Sequence, residues 1–169
     1  MREILVPLLA FALSPPLLAQ DVLQQWRDSA TRRMIDFRSA HRPWIEANGW
    51  MFVAATLSVE EVPISDIYMK GVKVEKDPIR SAYLLNTFYA AVPALEVPEY
   101  QSSKMLVWFD CKDRSFEQRI LERYASSDGS GNPNSREAEK QNRPTIEMPG
   151  ADPQSFDEPL LAAVCSAKR

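Results

Sequence analysis

Two cysteines, Cys111 and Cys165, are the only ones in a chain of 169 residues, and their meaning depends on where the chain resides. The first twenty residues answer that. Met1-Arg2-Glu3 forms a short charged start, and Ile4 to Leu13 is a ten-residue apolar run broken only by Pro7. Pro15-Pro16 then ends any helix, and Leu17-Leu18-Ala19 offers a small residue for cleavage after Ala19 or Gln20. The run falls short of the roughly 20 apolar residues that a bilayer-spanning helix needs. Residues 1–20 therefore read as a signal peptide; the alternative is a buried N-terminal helix. No cysteine follows the run, so an exported product, periplasmic or extracellular and without a lipid anchor, is expected.

In an oxidising compartment two cysteines are most simply one disulfide. Two free buried thiols would instead fit a cytosolic chain. A pair alone cannot complete a four-ligand zinc site, and the Cys-x-x-Cys spacing of a redox centre is missing. Closing a loop of about 55 residues should stabilise the fold by about 4 kcal/mol on the chain-entropy model. A mature chain of about 150 residues buries roughly 68–70% of its unfolded surface, so it can also build an ordinary core. The net charge of −3 gives no reason to expect nucleic acid or an anionic membrane as partner.

Asp21 to His41 has helical periodicity. Asp21 serves as N-cap, Val22, Leu23, Trp26, Ala30, Met34 and Phe37 recur at three- and four-residue spacing, and Arg42-Pro43 is the expected end. This helix could pack on the rest or project towards a second molecule. After Gly49 the pattern changes to strands: Trp50–Leu57, Ile64–Lys70 and Val72–Glu75 around Gly71, and Ser81–Ala91. Lys104–Lys112 alternates most cleanly, with Met105, Val107, Phe109 and Cys111 on one side and Leu106, Trp108, Asp110 and Lys112 on the other. Arg114–Ala125 fits a helix or a strand equally well. Ser126–Ser135 is rich in turn formers, Arg136–Asn142 reads as solvated charge, and Thr145–Glu147 as a short strand. Asp152-Pro153 opens a last helix whose inner face carries Phe156, Leu160, Leu161, Val164 and Cys165.

Chemistry is sparse. His41 is the single histidine, and at a helix C-terminus it reads as a dipole partner rather than a base or a ligand. Glu60-Glu61 and Asp157-Glu158 are sequence neighbours that point apart, whereas acid–base pairs face one another across a cleft. Asp128-Gly129-Ser130-Gly131 lacks the Gly-Lys-Ser/Thr ending of a phosphate loop. No catalytic residue, metal or cofactor is expected. The candidate contact residues are aromatic: Trp26, Trp44, Tyr83, Tyr89 and Trp108.

The run Ser103-Lys104-Met105-Leu106-Val107-Trp108-Phe109-Asp110-Cys111-Lys112-Asp113-Arg114 resembles the Ser-Lys and Asp-Cys-x-x-Arg segment of surface-adhesin protein E-like proteins. Met148-Pro149-Gly150-Ala151, leading to a short helix that ends on Cys165, fits the same family, as do Trp50 and the glycine turn after Tyr124. The likeness spans roughly residues 49–167. The helical segment 21–44 is extra to it, and Pro144-Thr145-Ile146 stands where a turn tryptophan is common. The resemblance implies an α+β fold, mainly an antiparallel sheet with a C-terminal helix disulfide-bonded against it, and makes 114–124 a strand. It also implies a non-catalytic exported binding module that contacts extracellular host proteins. The rival expectation is a periplasmic structural or assembly protein docking through helix 21–41, and an enzyme is the least favoured. A homodimer joined through a sheet edge is a further expectation.

Overall fold

The computed structural model describes residues 17–58, 61–92, 98–138 and 157–167. A long helix α1 (Leu17–Ala47) precedes six strands: β1 (Met51–Leu57), β2 (Pro63–Lys76), β3 (Ile79–Val92), β4 (Tyr100–Asp110), β5 (Ser115–Tyr124) and β6 (Ser135–Ala138). A short helix α2 (Asp157–Cys165) follows. The strands form one antiparallel sheet in chain order, as short connections between neighbours favour. The candidate strand 145–147 and the Asp152-Pro153 helix start lie outside the described residues, as do residues 1–16.

Each face of the sheet carries its own helix. Alternation along β2, β3 and β4 sends Ile67, Met69, Ala82, Leu84, Val107 and Phe109 to one side, where Leu160, Leu161 and Val164 of α2 pack on them. All of these are buried, and each large side chain contributes about 1.5–3 kcal/mol of transfer free energy. The other side carries Tyr68 and Leu85, which pack with Ile45 of α1 and with Trp50 and Phe52.

The segment after β4 is a staple for α2. The Asp110 carboxylate accepts the backbone N–H groups of Lys112 and Asp113, at 2.9 and 3.0 Å, and so shapes the turn. Cys111 bonds Cys165, with Cα atoms 5.5 Å apart, and Arg114, at a φ of 53°, ion-pairs with Glu158 of α2. The Asp-Cys-x-x-Arg pattern thus makes one turn and two attachments to the same helix.

Three elements differ from the sequence reading, and one that was left open is settled. The helix continues through Pro43 to Ala47 instead of ending near His41. Pro43 is exposed on the side away from the sheet, where water can take the carbonyl it leaves unpaired, and continuation buries Ile45 completely. Gly49, at a φ of 81°, ends the helix instead, with Trp50 donating to the Ile45 carbonyl at 3.3 Å. The two weak strands around Gly71 are one strand whose pairing with β3 skips between Lys70 and Lys73, and Gly71 supplies the positive φ of 68° for that bulge. Segment 114–125 is a strand, as the family resemblance implied. Residues 135–138, read as the end of the turn-rich segment and the start of solvated charge, pair with β5 while keeping their charges outward.

Reduction of the disulfide is expected to lower unfolding free energy by about 2–5 kcal/mol, because it reopens a 54-residue separation in the unfolded chain. Denaturant unfolding of the oxidised protein against the Cys111→Ser/Cys165→Ser variant measures it. Equal midpoints would show that α2 packing alone holds the helix.

Candidate functional site

The strongest polar cluster lies between α1 and the sheet. Asp66, in the buried half of β2, has no solvent exposure. Arg38 of α1 reaches it with both arms of the guanidinium, Nε to Oδ2 at 2.9 Å and Nη2 to Oδ1 at 2.6 Å. The Tyr89 hydroxyl donates to Oδ1 at 2.7 Å and that of Tyr68 to Oδ2 at 3.4 Å. A buried carboxylate survives only with this kind of multiple hydrogen bonding. The bonds from Arg38 to Asp66 raise the guanidinium pKa further above its ordinary value. Burial first, then Asp66, raises the Tyr68 and Tyr89 phenols well above theirs. Tyr124 is pushed up to about 12, by burial and then by its bond to Glu122.

His41 completes the joint. Its ring lies against Phe37, with centroids 4.6 Å apart, and within 3.3 Å of the Ser127 hydroxyl in the β5–β6 turn. Both ring nitrogens are about equally near that hydroxyl, at 3.3 and 3.4 Å, so the pair is a contact between helix and turn with no orientation toward proton transfer. Gly129 of the same turn folds down on Lys104 and Leu85. Its backbone has a φ of 72°, in the left-handed region that favours glycine. Among the described residues no cluster of three or more His, Cys, Asp or Glu could hold a metal ion. No helix among them is long and apolar enough to cross a membrane.

The aromatic candidates do not form one patch. Tyr89 is half-buried beneath α1, edge-on to Phe37 and bonded to Asp66, because the helix lies across the face on which it was expected to be exposed. Trp26 and Trp44 are exposed on α1 itself, about 27 Å apart at the helical rise. Tyr83 and Trp108 do come together. Pairing of Tyr83 with Leu106 and of Ser81 with Trp108 puts both aromatics on the α1-bearing face, beyond the part the helix covers. They are 47% and 37% exposed. In β5 the pairing skips from Ile120 to Gln118, a bulge that turns Arg119 onto the Trp108 ring at 4.5 Å while Glu117 pairs with the guanidinium. A groove of about 300 Å³ runs beside this stack, lined by Ile79, Trp108, Phe109, Asp110, Phe116 and Arg119.

Sequence reasoning missed Arg38 and Asp66. Their signal was present, since Asp66 stands beside Ile67-Tyr68-Met69 in the apolar part of its strand and Arg38 follows Phe37 on the inward side of the helix. Nothing in a linear pattern told that the two would meet.

The architecture defines a class: an antiparallel meander with a terminal helix stapled by one disulfide, with an exposed aromatic area on the open part of one face. A family model, that of surface-adhesin protein E, matches residues 58–166, and the chain belongs to this family. No curated protein and no solved structure matches the chain.

Two outcomes follow from the cluster. Arg38→Ala is expected to destabilise by about 3–5 kcal/mol, as for a buried charge stripped of its partner, and by clearly less in an Asp66→Asn background. Denaturant midpoints of the four-member cycle measure the coupling; additive effects would contradict it. The tyrosines give the second. Phenols raised in the folded state contribute stability that is fully present below the unfolded value of about pH 10 and is lost as pH climbs above it. Urea midpoints should therefore fall above about pH 10, and less steeply for Tyr89→Phe. Urea midpoints that stay level above pH 10, alike in the wild type and in Tyr89→Phe, would show both phenols solvated.

Proposed function

We propose that this chain is an exported, non-catalytic binding module that acts by protein–protein contact, with extracellular host proteins as the partner class. Membership of the surface-adhesin protein E family supports the class of role. The observation that carries the site is the exposed pair Tyr83 and Trp108 on the part of the sheet face that α1 leaves open. Tryptophan, tyrosine and arginine beside a groove are the residue types that dominate binding energy at protein interfaces. Trp108 is already held by its stack with Arg119, so less side-chain freedom is lost when a partner covers it. A signal peptide over residues 1–20, removed on export, belongs to the same proposal.

A second reading has its own observation. Val22, Trp26 and Ile35 on the earlier part of α1 are exposed. That part suits a periplasmic assembly role in which the helix docks on a partner.

The test is biolayer interferometry of the oxidised full chain against immobilised extracellular-matrix glycoproteins. Saturable binding is expected, weakened tenfold or more by Trp108→Ala at unchanged stability, which corresponds to at least about 1.4 kcal/mol. No binding across the panel, or binding indifferent to both Trp108→Ala and Tyr83→Ala, would contradict the proposal. Loss on Trp26→Ala alone would favour the helix-docking reading.

A further inference from the structure

The face that α1 leaves open is a track along two strands. Tyr83, Ser81 and Ile79 of β3 lie opposite Leu106, Trp108 and Asp110 of β4, all on the side away from α2. Tyr83 and Trp108 are diagonal neighbours, so their backbones are about 7–8 Å apart. From Trp108 the groove of about 300 Å³ continues past Ile79 and Asp110 to Glu117 and Arg119. That volume is at the low end for a small-molecule site, and it suits the side chains of an extended chain laid along the strands.

The hydrogen-bonding groups of the track select what lies on it. Its acceptors already hold donors. The Glu75 carboxylate takes the Ser81 hydroxyl, Glu117 holds the Arg119 guanidinium, and Asp110 accepts two backbone N–H groups of its own turn. Trp108 and Tyr83, both exposed, bring an indole N–H and a phenol O–H. A ligand rich in hydroxyl donors, such as a glycan, therefore meets acceptors in use. A polyproline II chain has the opposite character: proline has no N–H, and the helix leaves its carbonyls unpaired. It advances about 3.1 Å per residue, so about two to three residues span the two aromatics. Its prolyl rings pack on aromatic side chains, and its shape is set before binding, so little entropy is lost. Charge gives a second criterion. The groove sets the carboxylates of Asp110 and Glu117 against the Arg119 guanidinium, which favours a ligand that carries a cation. We infer that this track takes a proline-rich segment of a partner in the polyproline II conformation, with a lysine or arginine beside its prolines. The inference names the partner chemistry of the site proposed above and rests on that reading.

Fluorescence anisotropy tests it, with the oxidised full chain titrated into a labelled oligoproline that carries one arginine. A glycine–serine peptide of the same length and charge is the control. Saturable binding is expected for the oligoproline, at least tenfold tighter than for the control. Exchanging the peptide's arginine for glutamate should weaken it. Trp108→Ala and Tyr83→Ala should each weaken it tenfold or more. Trp108→Phe keeps a ring and removes the N–H, and should weaken it severalfold, which keeps the inference open to refutation even if an alanine variant folds poorly. Equal affinity for oligoproline and control overturns it, as does oligoproline binding that none of these variants moves, or a preference for the glutamate peptide. Competition by free oligosaccharide in place of oligoproline overturns it as well, since the ligand would then be a glycan. Glycoprotein binding that depends on Trp108 and is untouched by excess oligoproline overturns this inference alone. Absence of both bindings overturns it together with the reading above.

Discussion

Asp66 lies in the buried first half of β2 with no solvent exposure, and what this carboxylate requires shapes the rest of the molecule. An isolated buried charge costs several kcal/mol. Arg38 offsets that cost through two parallel bonds, and Tyr89 adds a third. Arg38 is on α1, so the carboxylate is satisfied only when the helix lies across the sheet at one position and rotation. That placement then buries Ile45, extends the helix past Pro43, and sets Phe37 and His41 against Tyr89 and the β5–β6 turn. The ionic contact specifies the docking, and the apolar contacts around it supply the favourable free energy.

The opposite face follows a different logic. There the contacts are apolar and the specificity is covalent. Nine residues of α2 could not hold a helix in water by themselves. Three buried side chains, the Cys111–Cys165 bond and the Arg114–Glu158 pair hold it together. The motif through which the chain resembles its family therefore has a mechanical meaning: Asp110 shapes the turn, and the next four residues provide both attachments. With the sheet held on both faces, the described residues still leave an open aromatic area and two sheet edges exposed.

Much of this was legible in the sequence. Alternation in 104–112 named the inward side chains correctly, the cysteine pair was read as a disulfide, and Leu160, Leu161 and Val164 were recognised as an inner helix face. What escaped was non-local. Proline at 43 looked like a helix end because local propensity disfavours it, yet burial of Ile45 two residues later outweighs that cost. Tyr89 looked like surface because alternation reports which side of a strand a residue is on and says nothing of what covers that side. Segment 114–125 has both helical and strand periodicity, and only pairing with β4 decides between them. The edge strand β6 carries so many charges that its sequence resembles a loop, which is the property that suits it to an edge.

The central claim is that the helix running to Ala47 is part of the folded domain, although the family match begins at residue 58. Deletion of residues up to Ala47, with Cys111–Cys165 kept oxidised, tests it most directly when cooperative unfolding is followed by near-ultraviolet circular dichroism. The account predicts loss of the cooperative transition, because Asp66 is left without Arg38 and Tyr68 and Leu85 lose Ile45. A truncated chain that unfolds cooperatively, at a midpoint close to that of the full chain, would contradict it and make the helix an appendage.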